Sequence, residues 1–545
     1  MSDLVRLAAV ALLLLGVTLQ GASVVAEQDD DAVAAGIARL LSGQQPELRG
    51  FYQARAGRPA WPDDQAVAAL AAAIGTLDGD GLRPTDYHPT ALLPAYRLAQ
   101  AAAEPLARAR FDLQLSELLL TVLHHVQRGK LDPAAIDPNW ELPRAAPRLD
   151  LAAVSQAVDA RQFDQLIAAV RPDHLLHARL RSALKHYRDI KLQGGWPMLP
   201  ARHDALHPGD RDADVPLLRQ RLAIEEGAAL PVSVGCNPAE AAVGGPAPYC
   251  HDENLVAAVH RFQRRHLLRE DGIVGRQTLA ALNVPVTTRI EQIRVNLERA
   301  RWLLHGLPRA LVLVDIAGYR LSYFRADGTL WQSRIVVGRP YRSTPMLRSE
   351  INRLTFNPTW TVPPTILRED MLPMIRKDPD YLTREDIEVI SLSGAPLDPR
   401  QIDWWHPGNL LLRQRAGPHN ALGRVAIRFP NRHDVYLHDT PAQGLFNLDR
   451  RAISSGCIRV ANALELARLL LDDEKKWNQA AIDELVASGL TREVALARRV
   501  PLILYYWTVA VDAEGVVSFR PDIYQRDAAV LAALNRPLAA AAPSH

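Results

Sequence analysis

The hydrophobic pattern divides the chain into a helical first part and a strand-rich last part. Between residue 30 and about residue 200, apolar residues recur at three- and four-residue spacing in alanine-rich stretches, which predicts helices. The clearest helices are 33–41, 64–76, 107–127 and 151–171. From residue 311 the pattern changes to short alternating runs, which predict strands. The sequence therefore predicts a multidomain α+β protein with a helical scaffold domain over 30–205 and a mostly β domain over 309–525.

The strand-rich part contains a recognisable hairpin. Ala326-Asp327-Gly328 joins two alternating runs, and an Asp-Gly pair favours a tight turn between antiparallel strands. A helix over 289–304, within a linking segment 286–308, precedes the first strand, and 526–545 is interpreted as a C-terminal tail. The predicted strands are 311–315, 319–324, 330–337, 424–429, 435–437, 502–509 and 516–520.

Residues 363–420 look like an insertion into the β domain. Pro363-Pro364-Thr365 begins a predicted helix that runs to about residue 376, and loops containing Trp404-Trp405 follow. Long loops in compact domains are often lids over a site. Packing of this segment on a neighbouring domain is the open alternative.

Residues 211–285 form a separate compact unit. Two apolar helical segments, 215–222 and 255–268, are followed by Asp271-Gly272-Ile273-Val274-Gly275, and Thr278 is expected to begin the next helix. This pattern resembles the three-helix peptidoglycan-binding domain of type 1. An insertion over 231–252 interrupts the first half, so the resemblance leaves open whether the unit binds glycan or serves as a helical spacer.

Length and charge limit the possible functions. A chain of 545 residues is too long for one core, and roughly 150 residues per domain gives three or four domains. The net charge is +2 with Lys and Arg dispersed, which gives no electrostatic surface for nucleic acid. Nucleic acid is therefore not an expected partner.

The first 26 residues have the pattern of a secretory signal. Arg6 precedes an apolar run over 7–17, and small residues lead to Ala26 before the acidic segment 27–31. Cleavage after Ala26 is the expectation. An uncleaved membrane anchor is the alternative, and either interpretation exports the rest of the chain.

The three cysteines fit an exported protein. Cys236 and Cys250 lie in a Gly- and Pro-rich stretch and are candidates for a disulfide, which an oxidising compartment permits. That pairing leaves Cys457 alone. An unpaired thiol in such a compartment is a liability unless it has a use, so Cys457 becomes a candidate for chemistry.

Cys457 stands in Ser454-Ser455-Gly456-Cys457-Ile458-Arg459-Val460, shortly after Tyr436-Leu437-His438. Alternation on a strand places Tyr436 and His438 on one face, with Val435 and Leu437 towards the core. A thiol beside glycine, hydroxyl groups and an imidazole is what a cysteine nucleophile needs. His433 falls on the opposite face, so a metal cluster is not expected, and neither metal nor cofactor is predicted.

The segment after the thiol predicts a helix over 463–471. Asn462 and Glu465 are spaced as in a capping box, in which both side chains bind free N–H groups of the first turn. The helix begins too far beyond Cys457 for its dipole to activate the thiol strongly. Activation therefore falls to His438, which either deprotonates the thiol or forms a thiolate–imidazolium pair with it.

Four motifs together resemble the L,D-transpeptidases, the cysteine enzymes that cross-link peptidoglycan. They are Asn-Pro-Thr-Trp-Thr-Val-Pro-Pro (357–364), Gly-Pro-His-Asn-Ala-Leu-Gly (417–423), Tyr-Leu-His-Asp-Thr (436–440) and Ser-Ser-Gly-Cys-Ile-Arg-Val (454–460). The helical part and the binding-like unit are similar to the large multidomain branch of that family.

The resemblance implies roles for the motif residues. His438 matches the general base and Cys457 the nucleophile, while Gly456 and the backbone around Ser455 match the oxyanion hole. Arg459 matches an arginine that either anchors the loop or meets a substrate carboxylate. Many members of the family have His where this chain has Ser455, so the second imidazole is missing here.

Three further residues complete the candidate site. Tyr436 either packs or lines the substrate, and Trp360 is a candidate substrate contact that also fits a core or lid position. Where Gly or Ser often follows the base, this chain has Asp439, and its backbone carbonyl is expected to orient the imidazole.

The resemblance also implies a reaction, partners and a location. A Cys457 thioester formed on a donor tetrapeptide stem would be resolved by an acceptor stem to give a 3→3 cross-link, in the periplasm and without a cofactor. Carbapenem β-lactams would acylate the same thiol, and other cell-wall synthesis enzymes are possible partners. Transfer to water or another amine, and a non-catalytic wall-binding scaffold, are the alternatives.

Overall fold

A computed structural model describes residues 30–137, 140–142, 147–233, 249–378 and 380–538. The predicted signal segment 1–26 lies outside these ranges. In the part of the chain that is described, no helix combines the length and apolar character needed to cross a bilayer. The predicted multidomain α+β architecture is confirmed, with a helical first part, a helical module and a β-rich last part.

The first part is a bundle of helices around one apolar core. Its longest helix, α5, buries one face that includes Leu119 and Leu123. The bundle is continued by helices that reach the linking segment. Its helices are 30–41 (α1), Pro46–Ala54 (α2), Asp64–Gly75 (α3), Pro89–Gln100 (α4), Pro105–Arg128 (α5), Pro133–Ile136 (α6), Leu151–Asp159 (α7), Phe163–Val170 (α8) and Leu175–Leu192 (α9).

One helix predicted here is in fact two. The segment 151–171 breaks after Asp159, and Arg161 adopts a left-handed conformation with φ of 57° before α8 begins at Phe163. The apolar spacing continues through the break because α7 and α8 both bury apolar residues in the same core, among them Val154 and Ile167.

The module contains Val215–Glu226 (α10), Glu253–Arg265 (α11) and Arg276–Leu282 (α12). The Asp-Gly turn precedes α12 as expected, but the helix begins at Arg276 with Gly275 as its N-cap. Thr278 is therefore inside the helix, where its hydroxyl accepts a hydrogen bond from Gln263 Nε2 at 3.3 Å. Cys250 is in a disulfide, whereas its predicted partner Cys236 lies outside the described residues.

The linking helix Val286–Leu303 (α13) is the centre of the molecule. Arg301 donates to the backbone of Asp80 in the scaffold domain, and Arg289 Nη2 donates to the Ala281 carbonyl of the module at 3.2 Å. Asn296 Nδ2 donates to Thr508 Oγ1 of the β domain at 2.8 Å. One helix thus holds all three parts together.

The β domain is built on a curved sheet that closes on itself. Its strand order is β11-β3-β12-β10-β9-β4-β13-β1-β2, and β2 also pairs with β3. The strands are Leu311–Asp315 (β1), Arg320–Phe324 (β2), Leu330–Gly338 (β3), Leu347–Phe356 (β4), Val425–Arg428 (β9), Leu437–His438 (β10), Ala452–Ser454 (β11), Ile458–Val460 (β12) and Arg492–Tyr505 (β13). Val509–Val511 (β14) and Val517–Phe519 (β15) form a separate hairpin.

Most of the predicted strands are found close to their predicted positions, but some observed strands were not predicted. The hairpin around Gly328 is confirmed, since Phe324 pairs with Leu330 across it. The strand β4, which pairs with both β13 and β9, was not predicted. The predicted strand 502–509 ends at Tyr505, and β13 begins ten residues earlier than 502, at Arg492.

The insertion 363–420 is a small unit with its own core and sheet, so the prediction of loops after its helix is wrong. Its helical segment changes pitch at a π turn, Leu367–Met371. The other helices are Pro364–Ile366 (α14), Leu372–Lys377 (α15) and Tyr381–Arg384 (α16). The strands Trp360–Thr361 (β5), Ile387–Ser391 (β6), Pro396–Leu397 (β7) and Leu410–Gln414 (β8) pair in the order β5-β8-β6-β7.

After β12, the described residues contain the helices Ala463–Leu471 (α17), Gln479–Ala487 (α18) and Asp527–Leu534 (α19). The capping box predicted at α17 is wrong, because Asn462 is left-handed with φ of 55° and its side chain makes no cap hydrogen bond. The segment interpreted as a tail contains α19, whose Val530 and Leu534 pack on Trp302 of α13.

Candidate active site

The predicted site lies where β10 and β12 run side by side. The two strands are parallel, with Leu437 opposite Ile458 and His438 opposite Arg459. The Ile458 N–H donates to the Tyr436 carbonyl at 3.0 Å. Because Cys457 immediately precedes Ile458, this register brings the thiol to the level of Tyr436, beside the strand that carries His438.

The turn before Cys457 is held by the Ser454 hydroxyl. Ser454 Oγ donates to the Cys457 carbonyl at 2.6 Å and accepts from the Gly456 N–H at 3.2 Å. Gly456 has φ of 117°, which side-chain-bearing residues rarely adopt. The Gly456 N–H is therefore already engaged by Ser454 Oγ.

The imidazole of His438 is buried and oriented by the backbone. His438 Nδ1 lies 2.5 Å from the Asp439 carbonyl, which can only accept, so Nδ1 carries the proton and Nε2 is the free base. The expectation that the carbonyl of Asp439 orients the ring is confirmed. The Asp439 carboxylate accepts instead from Arg424 Nε at 3.1 Å and Gln443 Nε2 at 3.2 Å.

Burial sets the protonation of both predicted catalytic groups. It lowers the pKa of His438 to about 3, and the positive charge of Arg459 adds to this effect. Burial raises the pKa of the Cys457 thiol above its ordinary value, against the opposing effects of Tyr436, Arg428 and Arg459. At neutral pH the Cys457 thiol and the His438 imidazole are therefore both neutral.

Tyr436 shares the face of His438 as predicted, with 5.7 Å between ring centroids. Its hydrogen bond with Cys457 holds the thiol pKa down in part. The guanidinium carbon of Arg428 lies 4.3 Å from the Tyr436 ring centroid. Arg428 was not predicted from the sequence, because only the pairing of β9 with β10 brings it to the site.

Arg459 is a cation at the site with an incomplete hydrogen-bond set. Its Nε is buried and has no hydrogen-bond partner. None of the carboxylates in the described ranges lies within ion-pair distance of Arg459, which leaves the ligand-binding interpretation the stronger one. Burial lowers the pKa of Arg459, while the nearby Cys457 raises it.

Trp360 is not brought together with these residues. It pairs with Gln414 in the sheet of the insertion and packs against that unit's core. Its position matches the core or lid alternative. Within the part of the chain that is described, no group of three or more His, Cys, Asp or Glu side chains could hold a metal ion.

The insertion reaches the thiol turn through Arg342, which sequence patterns did not indicate. Arg342 Nη1 donates to Ser455 Oγ at 2.9 Å and also to Asp370, and Nη2 donates to Glu369 Oε2 at 2.6 Å. Glu369 and Asp370 lie in the π turn of the insertion. Ser455, which replaces the histidine common in the family, is thus bound by a guanidinium group.

Comparison with known proteins agrees with this geometry. Residues 309–478 match the family model described as the L,D-transpeptidase catalytic domain. This segment is an L,D-transpeptidase catalytic domain. Residues 251–282 match a "Putative peptidoglycan binding domain" and residues 46–184 a scaffold domain, so each of the three parts of the chain has a counterpart among known domains.

One relative is a protein of Haemophilus influenzae named "Putative L,D-transpeptidase", 34% identical over 297 residues, which are 52% of this chain and 60% of the relative. The chain therefore matches less than two thirds of that relative's length. A crystal structure of the L,D-transpeptidase from Xylanimonas cellulosilytica is 14% identical, with 56% of this chain and all of that chain covered, at a TM-score of 0.17. A TM-score this low carries no structural argument.

Proposed function

We propose that the protein is a peptidoglycan L,D-transpeptidase that forms 3→3 cross-links through a thioester on Cys457, with His438 as general base. The observation that carries the proposal is the parallel pairing of β10 with β12, which holds a buried neutral imidazole beside the thiol turn. The match of residues 309–478 to the catalytic domain supports it.

The first half-reaction transfers the donor stem to the enzyme. His438 Nε2 takes the thiol proton as sulfur attacks the carbonyl of the diamino acid at position three of a tetrapeptide. The developing oxyanion is bound by the N–H groups of Ser455 and Cys457. The intermediate collapses when the terminal D-alanine leaves as an amine that takes its proton from His438.

The second half-reaction releases the product. The side-chain amine of an acceptor stem attacks the thioester and gives a proton to His438, and sulfur leaves and recovers that proton. One amide is broken and one formed, so no nucleotide or metal is required. Donor and acceptor stems are the partners, and the secretory pattern of the first 26 residues supports a periplasmic location for the reaction.

Arg459 suits the recognition of a stem carboxylate. Its guanidinium lies close enough to shift the Cys457 pKa, and its Nε is without an acceptor. A planar guanidinium binds a carboxylate with two hydrogen bonds. A stem bound there would present its neighbouring carbonyl to the thiol.

The test is turnover of a purified disaccharide-tetrapeptide followed by mass spectrometry. Wild-type protein should give cross-linked dimer and free D-alanine, and Cys457→Ala and His438→Ala should each abolish both. Arg97→Ala, which removes an exposed ion pair with Asp64 in the scaffold domain, is the matched control. Free tripeptide without dimer would show that the protein is an L,D-carboxypeptidase. Binding to sacculi without turnover would show that it is a non-catalytic wall-binding scaffold. Carbapenem labelling of Cys457 provides an independent readout.

A further inference from the structure

A cleft of about 630 Å³ lies on the catalytic domain, at a point where the module contacts it through Leu267. Leu267, just after α11, forms part of one wall. The opposite wall comes from β2 and β3 and from the segment that follows His438, and it includes Arg320, Arg334, Arg451 and Asn447. A second hollow of about 340 Å³ is lined by the Asp271 turn of the module and by Asp449. Its lining residues are close in sequence to those of the cleft.

The cleft carries an excess of positive charge. Three arginines line it, and none of its lining residues is acidic. Arg320 and Arg334 are direct partners in the antiparallel pair of β2 with β3. Like charges directly opposite each other destabilise a sheet, so repulsion between Arg320 and Arg334 lowers the folding stability.

Two of the three arginines are held by hydrogen bonds to neutral acceptors. Arg451 donates to the carbonyls of Ile335 at 3.2 Å and Leu448 at 2.8 Å, and Arg334 donates to Asn447 Oδ1 at 3.0 Å. None of the three forms an ion pair with a carboxylate in the described part of the chain. Guanidinium groups held by neutral acceptors are preorganised to bind an anion.

The cleft adjoins the thiol site. Gln443 lines it and donates to the Thr440 carbonyl at 2.6 Å and to the Asp439 carboxylate. Ala461, also in its lining, lies four residues beyond Cys457 along β12 and its end, which corresponds to about 13 Å at about 3.3 Å per residue. A polymer that reacts at Cys457 can therefore occupy the cleft as well.

We propose that this cleft binds free carboxylates of a peptidoglycan segment beyond the stem that reacts at Cys457. The identity of the polymer rests on the proposed function, whereas the anion site rests on the three arginines. Peptide stems carry free carboxylates, which match guanidinium groups in shape and charge. Leu267, which lines the cleft, belongs to the segment 251–282 that matches a peptidoglycan binding domain.

Equilibrium binding to the full chain tests the proposal. Cys457→Ala is used as the background so that no turnover occurs, and soluble disaccharide-tetrapeptide oligomers are titrated by calorimetry. Arg320→Ala with Arg334→Ala should raise the Kd by on the order of tenfold, as loss of charge-assisted hydrogen bonds predicts, and should weaken its salt dependence. Arg97→Ala with Arg498→Ala, which removes equal charge from exposed ion pairs elsewhere, should leave the Kd unchanged.

A melting curve and a competition experiment distinguish carboxylate binding from a structural role of the arginines and from binding of the sugar chain. The melting temperature of the Arg320/Arg334 double variant should stay level or rise, because a repulsive pair is removed; a fall would mean that the arginines are structural. Uncharged chito-oligosaccharide should not compete, and inorganic phosphate should compete only weakly. An unchanged Kd in the double variant, or full competition by chito-oligosaccharide, overturns the proposal.

The two proposals fail separately. If the Cys457-containing protein forms no cross-link while binding still depends on the arginines, the transpeptidase proposal is wrong. The proposal that the cleft binds carboxylates is then still supported. If cross-links form but binding does not change when Arg320 and Arg334 are replaced, the transpeptidase proposal is supported and the cleft proposal is wrong.

Discussion

Cys457 and His438 are both held neutral by burial, and this decides between two ways of activating a thiol. A thiolate–imidazolium pair needs a low thiol pKa and a high imidazole pKa. Here the thiol pKa is raised and the pKa of His438 is lowered to about 3. Within the proposed mechanism, this arrangement favours proton transfer during attack, with His438 as base.

Alkylation of Cys457 distinguishes these two states. The rate of reaction with iodoacetamide should rise with pH and inflect above the ordinary thiol pKa, because only thiolate reacts and burial disfavours it. Disulfide-bonded Cys250 does not compete in non-reduced protein, and Cys457→Ala supplies the blank. A plateau of fast alkylation below pH 7 that disappears in His438→Ala would show a preformed ion pair instead.

The site residues that could be predicted are those that adjoin one another in sequence. Cys457, Gly456 and Ser455 share one motif, and alternation alone aligned Tyr436 with His438. Arg428 and Arg342 could not be found in this way, because the tertiary structure brings them from other strands and turns. Nothing local in the sequence marks an arginine that packs over Tyr436 or bonds Ser455.

At the scale of single elements, the failures have physical causes. The strand Leu347–Phe356 was not predicted because five of its first seven residues, up to Arg353, are polar or charged. This hides the alternation of apolar and polar positions. Its last residues, Leu354 to Phe356, are buried between β13 and β9. The insertion was interpreted as loops since β5 and β7 have only two residues each, and such strands exist only through pairing.

The contact between the insertion and the thiol turn passes through Arg342. Replacing Arg342 with Ala should lower kcat/KM by roughly tenfold, about 1.4 kcal/mol, because Ser455 and the acidic pair Glu369/Asp370 lose their shared donor. Arg342→Lys should recover part of the loss, since Lys keeps the charge without the planar geometry. Steady-state kinetics on the disaccharide-tetrapeptide measures both variants.

Arg376→Ala is the matched control for this prediction. Arg376 belongs to the insertion, donates to the Trp404 carbonyl at 2.9 Å and lies 4.5 Å from the Trp405 ring centroid. Its loss perturbs the insertion without touching the thiol turn. Equal kinetic effects in Arg342→Ala and Arg376→Ala would show that the insertion, and not its link to Ser455, is what matters.

The whole molecule is organised around α13, whose sequence suggests a solvent-exposed linker. Glu298, Arg299 and Arg301 are nevertheless almost fully buried, since both the scaffold domain and the C-terminal part of the chain contact this stretch of the helix. Glu298 Oε1 accepts from the Leu131 N–H at 2.8 Å, and Arg299 pairs with Asp527 of α19 at 2.6 Å. Charged residues at an interface between domains look like surface residues until the partner is known.

His266 connects the module to the catalytic domain and makes that contact sensitive to acid. Its ring stacks on Phe262 at 3.9 Å and lies 5.9 Å from Phe519 of β15. Burial lowers its pKa to about 3, with Arg289 adding to the shift and Glu225 opposing it. The ordinary pKa of 6.5 applies in the unfolded chain, so the unfolded state binds more protons between pH 6.5 and 3.

Folding stability should therefore fall as the pH drops below 6.5, and His266 alone should account for about 2 kcal/mol at pH 5. Urea unfolding at pH 7 and pH 5 measures this difference in the free energy of unfolding. Both pH values lie above the range in which folded Glu225 titrates, because its pKa is lowered to about 2. His266→Gln removes the titrating group, so its stability should change less between the two pH values than that of the wild type. His203→Gln, at an exposed position, should keep the wild-type difference. If His266→Gln shows the full wild-type difference, protonation of His266 does not weaken the contact, and other buried histidines must carry the acid sensitivity.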